Sequence, residues 1–97
     1  MIVVRDVYQV KFGKIDELLD IFNAARRSWA QKYDYRVLTD ASGPFYTAVV
    51  ETQVNNLRAW EELLGELYSN PEFGQWFARM EPLIESGRRE FYNVEEI

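Results

Sequence analysis

The chain reads as an alternation of β-branched or aromatic runs and helical apolar stripes. From Ile2 to Phe12 the residues Ile2, Val3, Val4, Val7, Tyr8, Val10 and Phe12 predict a strand, interrupted by Arg5, Asp6 and Gln9 and closed by Gly13. Over 14–32, Ile15, Leu18, Leu19, Phe22, Ala25 and Trp29 recur at three- and four-residue spacing, one apolar helix stripe. Acids lie early (Asp16, Glu17, Asp20) and bases late (Arg26, Arg27, Lys32), the polarity that a helix dipole favours. Residues 35–39 and 45–53 predict two strands of a hairpin around the turn Asp40-Ala41-Ser42-Gly43-Pro44.

A second helix is expected from Asn55 or Asn56 as cap, with Leu57, Trp60, Leu63, Leu64 and Leu67 as its stripe. Asn70-Pro71-Glu72 starts a third: a cap, a proline at the first helical position, then an acid. Phe73, Trp76, Phe77 and Met80 follow at helical spacing until Pro82, which ends or kinks the helix. Gly87 is read as a break, and Arg88 to Val94 as the last strand, before the tail Glu95-Glu96-Ile97. The order β-α-β-β-α-α-β defines an α+β chain. It is the ferredoxin-like βαββαβ arrangement, with a four-stranded antiparallel sheet and the second helix broken in two, in a single domain over 1–97.

Helices in this order cover one face of the sheet, so the other face should be polar and the strands should alternate cleanly. They do not. Val3 and Val7 oppose Val4, Tyr8 and Val10 in parity, and Phe45 and Val49 oppose Tyr46, Ala48 and Val50. The expectation is that a second copy of the chain covers the second face by two-fold symmetry, giving a homodimer.

Composition narrows the chemistry. With no Cys, disulfides, thiolate metal sites and Cys nucleophiles are excluded; with no His, the commonest metal ligand and the usual neutral-pH base are absent. A net charge of −5 argues against nucleic-acid binding. No apolar run approaches the ~20 residues of a membrane span, and the N-terminal residues lack the pattern of a secretory leader, so the expected compartment is cytoplasmic. The adjacent acids Glu61-Glu62 and Glu95-Glu96 point apart and read as solvated surface, so no metal and no cofactor is expected. Fifteen aromatic side chains (three Trp, six Tyr, six Phe) exceed what one small core requires, which places some at an interface or a ligand cleft.

The run Tyr8-Gln9-Val10-Lys11-Phe12-Gly13-Lys14-Ile15-Asp16-Glu17-Leu18, with Trp60, Leu63-Leu64 and Asn70-Pro71-Glu72-Phe73 further on, resembles the dimeric α+β barrel superfamily. Within it, the chain is similar to the NIPSNAP-like and antibiotic-biosynthesis-monooxygenase-like branches. NIPSNAP-like members carry a Tyr-x-Leu-Lys-Pro-Gly-Lys-x-Asp-Glu-type junction, in which Phe12 replaces proline. The resemblance implies a homodimer with facing sheets and a ligand cleft between sheet and helices in each subunit. It spans oxygenases, haem degraders, dismutases, isomerases and dehalogenases, and the fold does not choose among them. Haem-binding members generally use a His ligand, which this chain lacks.

Four residues are expected to line a ligand site: Asn56, Trp60, Tyr46 and Arg88. Asn56 and Trp60 are four apart on one helix face, and cofactor-independent monooxygenases of the resembled superfamily have an Asn-x-x-x-Trp pair there. The plainer reading is a helix cap and a core indole. Of the strand tyrosines Tyr8, Tyr35, Tyr46 and Tyr92, one is expected to touch ligand. Arg5, Arg36, Arg88 and Arg89 with Asp6, Glu51 and Glu90 are read first as ion pairs within or between sheets, because unpaired charge in a sheet is costly; the functional alternative is an Arg that anchors an acidic or enolate ligand, with Glu51 or Asp6 as the best available base in the absence of His. The expected function is small-molecule binding, with cofactor-free oxygenase or isomerase chemistry on an aromatic or hydrophobic ligand; the alternative is a non-catalytic homodimeric interaction domain.

Overall fold

In the computed structural model, which describes residues 1–97, the chain folds as β1 (Ile2–Val10), α1 (Ile15–Arg26), β2 (Tyr35–Thr39), β3 (Thr47–Val54), α2 (Leu57–Tyr68), α3 (Pro71–Met80), a 3-10 turn (Glu81–Leu83) and β4 (Ile84–Asn93). The strands form one antiparallel sheet in the order β2-β3-β1-β4. This is the α+β ferredoxin-like fold with its second helix divided. No helix is long and apolar enough to cross a membrane.

Local chemistry accounts for most boundaries. The Asn56 side chain accepts the Ala59 N–H at 2.8 Å and starts α2; that of Asn70 accepts the Glu72 N–H at 2.9 Å, with Pro71 in the first turn of α3. Pro82 ends α3 in the 3-10 turn.

Several boundaries differ from the sequence expectation, and the first strand, expected to reach Phe12, ends at Val10. The first helix stops at Arg26 rather than Lys32. There the Ser28 hydroxyl donates to the Ala24 carbonyl at 2.9 Å and the Ala30 N–H donates to Ala25, which takes over carbonyls that a continuing helix would use. Phe45 and Tyr46 belong to the hairpin turn and not to β3: Tyr46 has φ 58°, a left-handed conformation uncommon for a bulky residue. Gly87 lies inside β4 rather than before it. It pairs with Tyr8, whose ring lies so close that an added Cβ would meet it at 3.1 Å.

The helices cover one face. Leu18, Ile21 and Phe22 of α1 pack on Val10 and Ala48 with Met80 and Leu83, a closed core at one end of the sheet. The outer face carries Val3, Arg5, Val7 and Gln9 of β1, Leu38 of β2, Val49 and Glu51 of β3, and Arg88, Glu90 and Tyr92 of β4, as the register dictates. Glu51 is 8% exposed there. It is covered by two guanidinium groups and not by apolar packing: Arg5 Nε donates to one oxygen at 2.9 Å and Arg36 Nε to the other at 2.7 Å. Arg88 pairs with Glu90 at 3.2 Å.

Hydrogen bonds from Arg36 and then Arg5 hold the Glu51 carboxyl below its ordinary 4.5. A carboxylate with a depressed folded pKa contributes stability above its unfolded value and loses it as the pH falls through the folded value. Thermal denaturation across pH 2–7 should therefore show a steeper loss below about pH 4.5 in the native chain than in Glu51→Gln, which is also the less stable at neutral pH, where it leaves Arg5 and Arg36 facing each other. Superimposable acid limbs would contradict this role for the triad.

Candidate functional site

Beyond the closed core, α2 and α3 stand away from the sheet and leave a cleft. Trp60 is the only buried residue of α2; Leu63, Leu64 and Leu67, its expected stripe, are half-covered and line the opening. The cavity is about 170 Å³ and is bounded by 19 residues, 16 of them hydrophobic. That is close to the roughly 150 Å³ of an apolar cavity that accepts benzene.

Its floor is the inner sheet face: Asp6 and Tyr8 of β1, Val50 and Thr52 of β3, Arg89 of β4. One wall is Phe22 and Ala25 of α1, continued by Trp29, Ala30 and Tyr33 from the turn that ends α1 early. The other is Trp60, the leucines and Tyr68 of α2, with Phe73, Trp76 and Phe77 of α3. The early stop of α1 thus has a structural role, since it lays Trp29 edge-on to Phe73 and Trp76 at 5.9 and 6.2 Å. Trp76 stacks between Phe22 and Phe73, each at 5.5 Å. At the rim, Glu66 of α2 accepts from Tyr33 at 3.0 Å and from Lys32 at 2.8 Å, tying the turn to α2.

The polar groups are few. Arg89 Nε and Nη2 donate to the two oxygens of Asp6 at 2.6 and 3.2 Å, a bidentate pair. The guanidinium also lies 4.9 Å from the centre of the Trp60 ring. Burial, then the nearby Asp6 charge, pushes the Tyr8 phenol up to about 12, so it keeps its proton at neutral pH and can only donate or accept a hydrogen bond. The Trp76 indole N–H is buried and has no acceptor in the protein. The arrangement can therefore hold a flat apolar body among aromatic side chains, with the Tyr8 hydroxyl as the uncommitted polar group of the floor.

The four residues expected at the site are not brought together. Trp60 lines the cleft. Asn56 caps α2 with its side-chain oxygen and is not among the lining residues. Tyr46 lies beside Phe12 at 4.7 Å, lining a separate surface hollow with Ile15 and Leu19. Arg88 is on the outer face with Glu90. Of the four strand tyrosines, Tyr8 and Tyr35 line the cleft. Asp6 and Arg89, which the sequence reading named among the strand charges but not among the four lining residues, do line the cleft. Their signal was parity: Asp6 shares it with Val4, Tyr8 and Val10, so a charge was already expected on an apolar face and needed a partner on a neighbouring strand.

Comparison with known proteins places this architecture. No protein-family model matches the sequence, and no curated protein matches it. Among solved structures, the chain is similar to an uncharacterized NIPSNAP domain protein from Burkholderia xenovorans, at 21% identity and TM-score 0.89 over 98% of this chain and 95% of that one. A NIPSNAP family protein from Agrobacterium tumefaciens matches at 19% identity and TM-score 0.86, over 98% of this chain and 86% of that one. An antibiotic biosynthesis monooxygenase matches at 13% identity and TM-score 0.73, over 99% and 100% of the two chains. The chain thus has the fold common to NIPSNAP and antibiotic-biosynthesis-monooxygenase proteins, in agreement with the resemblance carried by its first strand–helix junction. At these identities the likeness concerns fold.

Gly87 keeps Tyr8 in place on the cleft floor, since the Tyr8 ring occupies the space of a Cβ. Gly87→Val should cost about 1–3 kcal/mol in urea denaturation through overpacking. Gly87→Ala should cost less, because the Tyr8 ring at 3.1 Å can shift, which leaves the Val7 carbonyl oxygen at 3.3 Å as the fixed contact of the methyl group. Equal stability of all three chains would contradict the contact.

Proposed function

We propose that the protein binds a small, flat, mainly aromatic ligand in the cleft between its sheet and its helices. The observation that carries this reading is a cavity of about 170 Å³ lined by all three tryptophans of the chain, with a paired Asp6–Arg89 and a protonated Tyr8 on its floor. Small-molecule sites are generally apolar hollows with a few convergent polar groups. Cofactor-free oxygenase or isomerase chemistry on that ligand is the reaction class we propose, and the likeness of fold to an antibiotic biosynthesis monooxygenase permits it without selecting it. In that chemistry the Tyr8 hydroxyl, which keeps its proton, orients a bound ligand by a hydrogen bond, and Asp6, held by Arg89, is the nearest carboxylate.

The cleft reading predicts a ligand-dependent melting temperature. A ligand at ~100 times its dissociation constant adds about 2.7 kcal/mol, which for a domain of this size raises the melting temperature by roughly 10–20 °C. A panel of small aromatics should include compounds that do this to the native chain. The same compounds should leave Leu64→Trp, which fills the cleft from α2, unmoved. A flat response of the native chain across the panel would remove the reading.

A second observation supports a homodimer through the outer sheet face. The molecule is a slab of 37 × 34 × 21 Å, and it exposes 6673 Å² where a monomer of this mass exposes about 5,800 Å². Val3, Val7, Leu38, Val49 and Tyr92 share that face with the Glu51 triad. A second copy seated there buries both. Native mass spectrometry should give twice the 11.5 kDa chain mass, and Val49→Asp, which puts an unpaired charge at the centre of the face, should give the single chain with its fold intact. A native chain that is monomeric at micromolar concentration contradicts the dimer.

A further inference from the structure

The register puts four charges in one straight row across the outer face. Arg36 of β2 lies opposite Glu51 of β3, Glu51 opposite Arg5 of β1, and Arg5 opposite Glu90 of β4. Directly paired residues project to the same side of a sheet, so the row reads plus, minus, plus, minus from one edge to the other. Within the chain it is only partly closed. Glu51 takes both of its neighbours, yet the Arg36 and Arg5 side chains stay 71% and 40% exposed. Glu90 is held by Arg88, its neighbour along β4, through one oxygen at 3.2 Å. Each guanidinium has more donors than it uses here, and each carboxylate more lone pairs. One row further along the strands lie Leu38, Val49, Val7 and Arg88, in the same strand order.

An alternating row with an even number of members is its own complement when read backwards. A two-fold axis running along the strands, over the β3–β1 pair, reads it backwards: it keeps the height of every residue and exchanges the two edges of the sheet. Resting on the homodimer reading above, we infer that the second copy docks in this way, with β4 of each chain over β2 of the other, so that Arg36 meets Glu90 of the partner subunit and Arg5 meets Glu51 of the partner subunit. Facing sheets lie about 10 Å apart, within the joint reach of an arginine and a glutamate. In the next row Val49 comes over the partner's Val7. The aliphatic stem of Arg88 covers the partner's Leu38 while its guanidinium stays on Glu90. An axis across the strands preserves the edges instead, and every placement of it near these rows carries a conflict. On the charged row it sets like on like; on the apolar row it sets Arg88 on the partner's Arg88; between the two it sets the open donors of Arg36 and Arg5 against leucine and valine.

The chain has no cysteine, so single introduced thiols report the docking geometry without touching the charged row. Leu38→Cys lies on β2 and Ser86→Cys on β4, on the same face and at opposite edges of the sheet. After subunit exchange between these two chains, a short bis-maleimide should join Leu38→Cys to Ser86→Cys and neither chain to itself. An energetic test runs beside it. Arg36 and Glu90 sit on opposite edges of one sheet, so strong coupling between them has to cross the interface. Arg36→Gln and Glu90→Gln should each raise the dimer dissociation constant about tenfold, and the double variant by about as much as either alone rather than about a hundredfold. Absence of the mixed product, Leu38→Cys joined to itself, or a hundredfold loss in the double variant would overturn this docking mode and leave the homodimer standing. A native chain that runs at the single-chain mass of 11.5 kDa would overturn both.

Discussion

A four-stranded sheet with helices on one side has two faces and a cover for one of them. The rest of this structure follows from how the chain handles that shortage. On the outer face it sets apolar side chains between ion pairs, and within the single chain Glu51 is shielded by Arg5 and Arg36. On the inner face the cover is itself incomplete. The division of the second helix at Asn70-Pro71 turns α3 towards α1 and leaves α2 touching the sheet chiefly through Trp60. A closed core therefore occupies one end of the inner face, and the aromatic cleft the other.

The cleft has the chemistry of its floor. Asp6 and Arg89 are cross-strand partners on β1 and β4, and their pairing lets two charges sit on an otherwise apolar face at small net cost. Because they neutralise each other, the cleft presents neither a free cation nor a free anion, and the Tyr8 hydroxyl is the polar group that remains to give direction. The aromatic surplus is accounted for in the same way. All three tryptophans border the cleft, and only Trp60 among them is fully buried by the protein itself.

Strand and helix order was legible in the sequence because hydrophobic period and capping chemistry agreed: Asn56, Asn70-Pro71 and Pro82 act at the boundaries they mark. The departures arise where tertiary contact overrides local preference. Tyr46 reads as a strand residue by propensity, yet Phe12 and the hairpin turn hold it in a left-handed conformation. Gly87 reads as a breaker, yet the Tyr8 ring lies over it and keeps it in the strand. Trp29 is the exception of local origin: it reads as one more position of a helix stripe, and the apolar spacing does not show that Ser28 and Ala30 take over the last carbonyls of α1. Of the candidate site, Trp60 was legible from its helix face. The pairing of Asp6 with Arg89 depends on the register between β1 and β4, which are 83 residues apart in sequence at that point and adjacent only after folding.

The central claim is that the space between sheet and helices is a ligand site, and the three indoles that line it report on it through their side-chain N–H signals. Two-dimensional nitrogen–proton spectra of the uniformly labelled chain resolve Trp29, Trp60 and Trp76 as separate side-chain signals, assignable with single Trp→Phe variants. Titration with acetophenone should move all three together and saturate at one ligand per chain. Movement confined to surface amides, with the indole signals unchanged up to millimolar ligand, would contradict the claim and return the cleft to being a loosely packed part of the core.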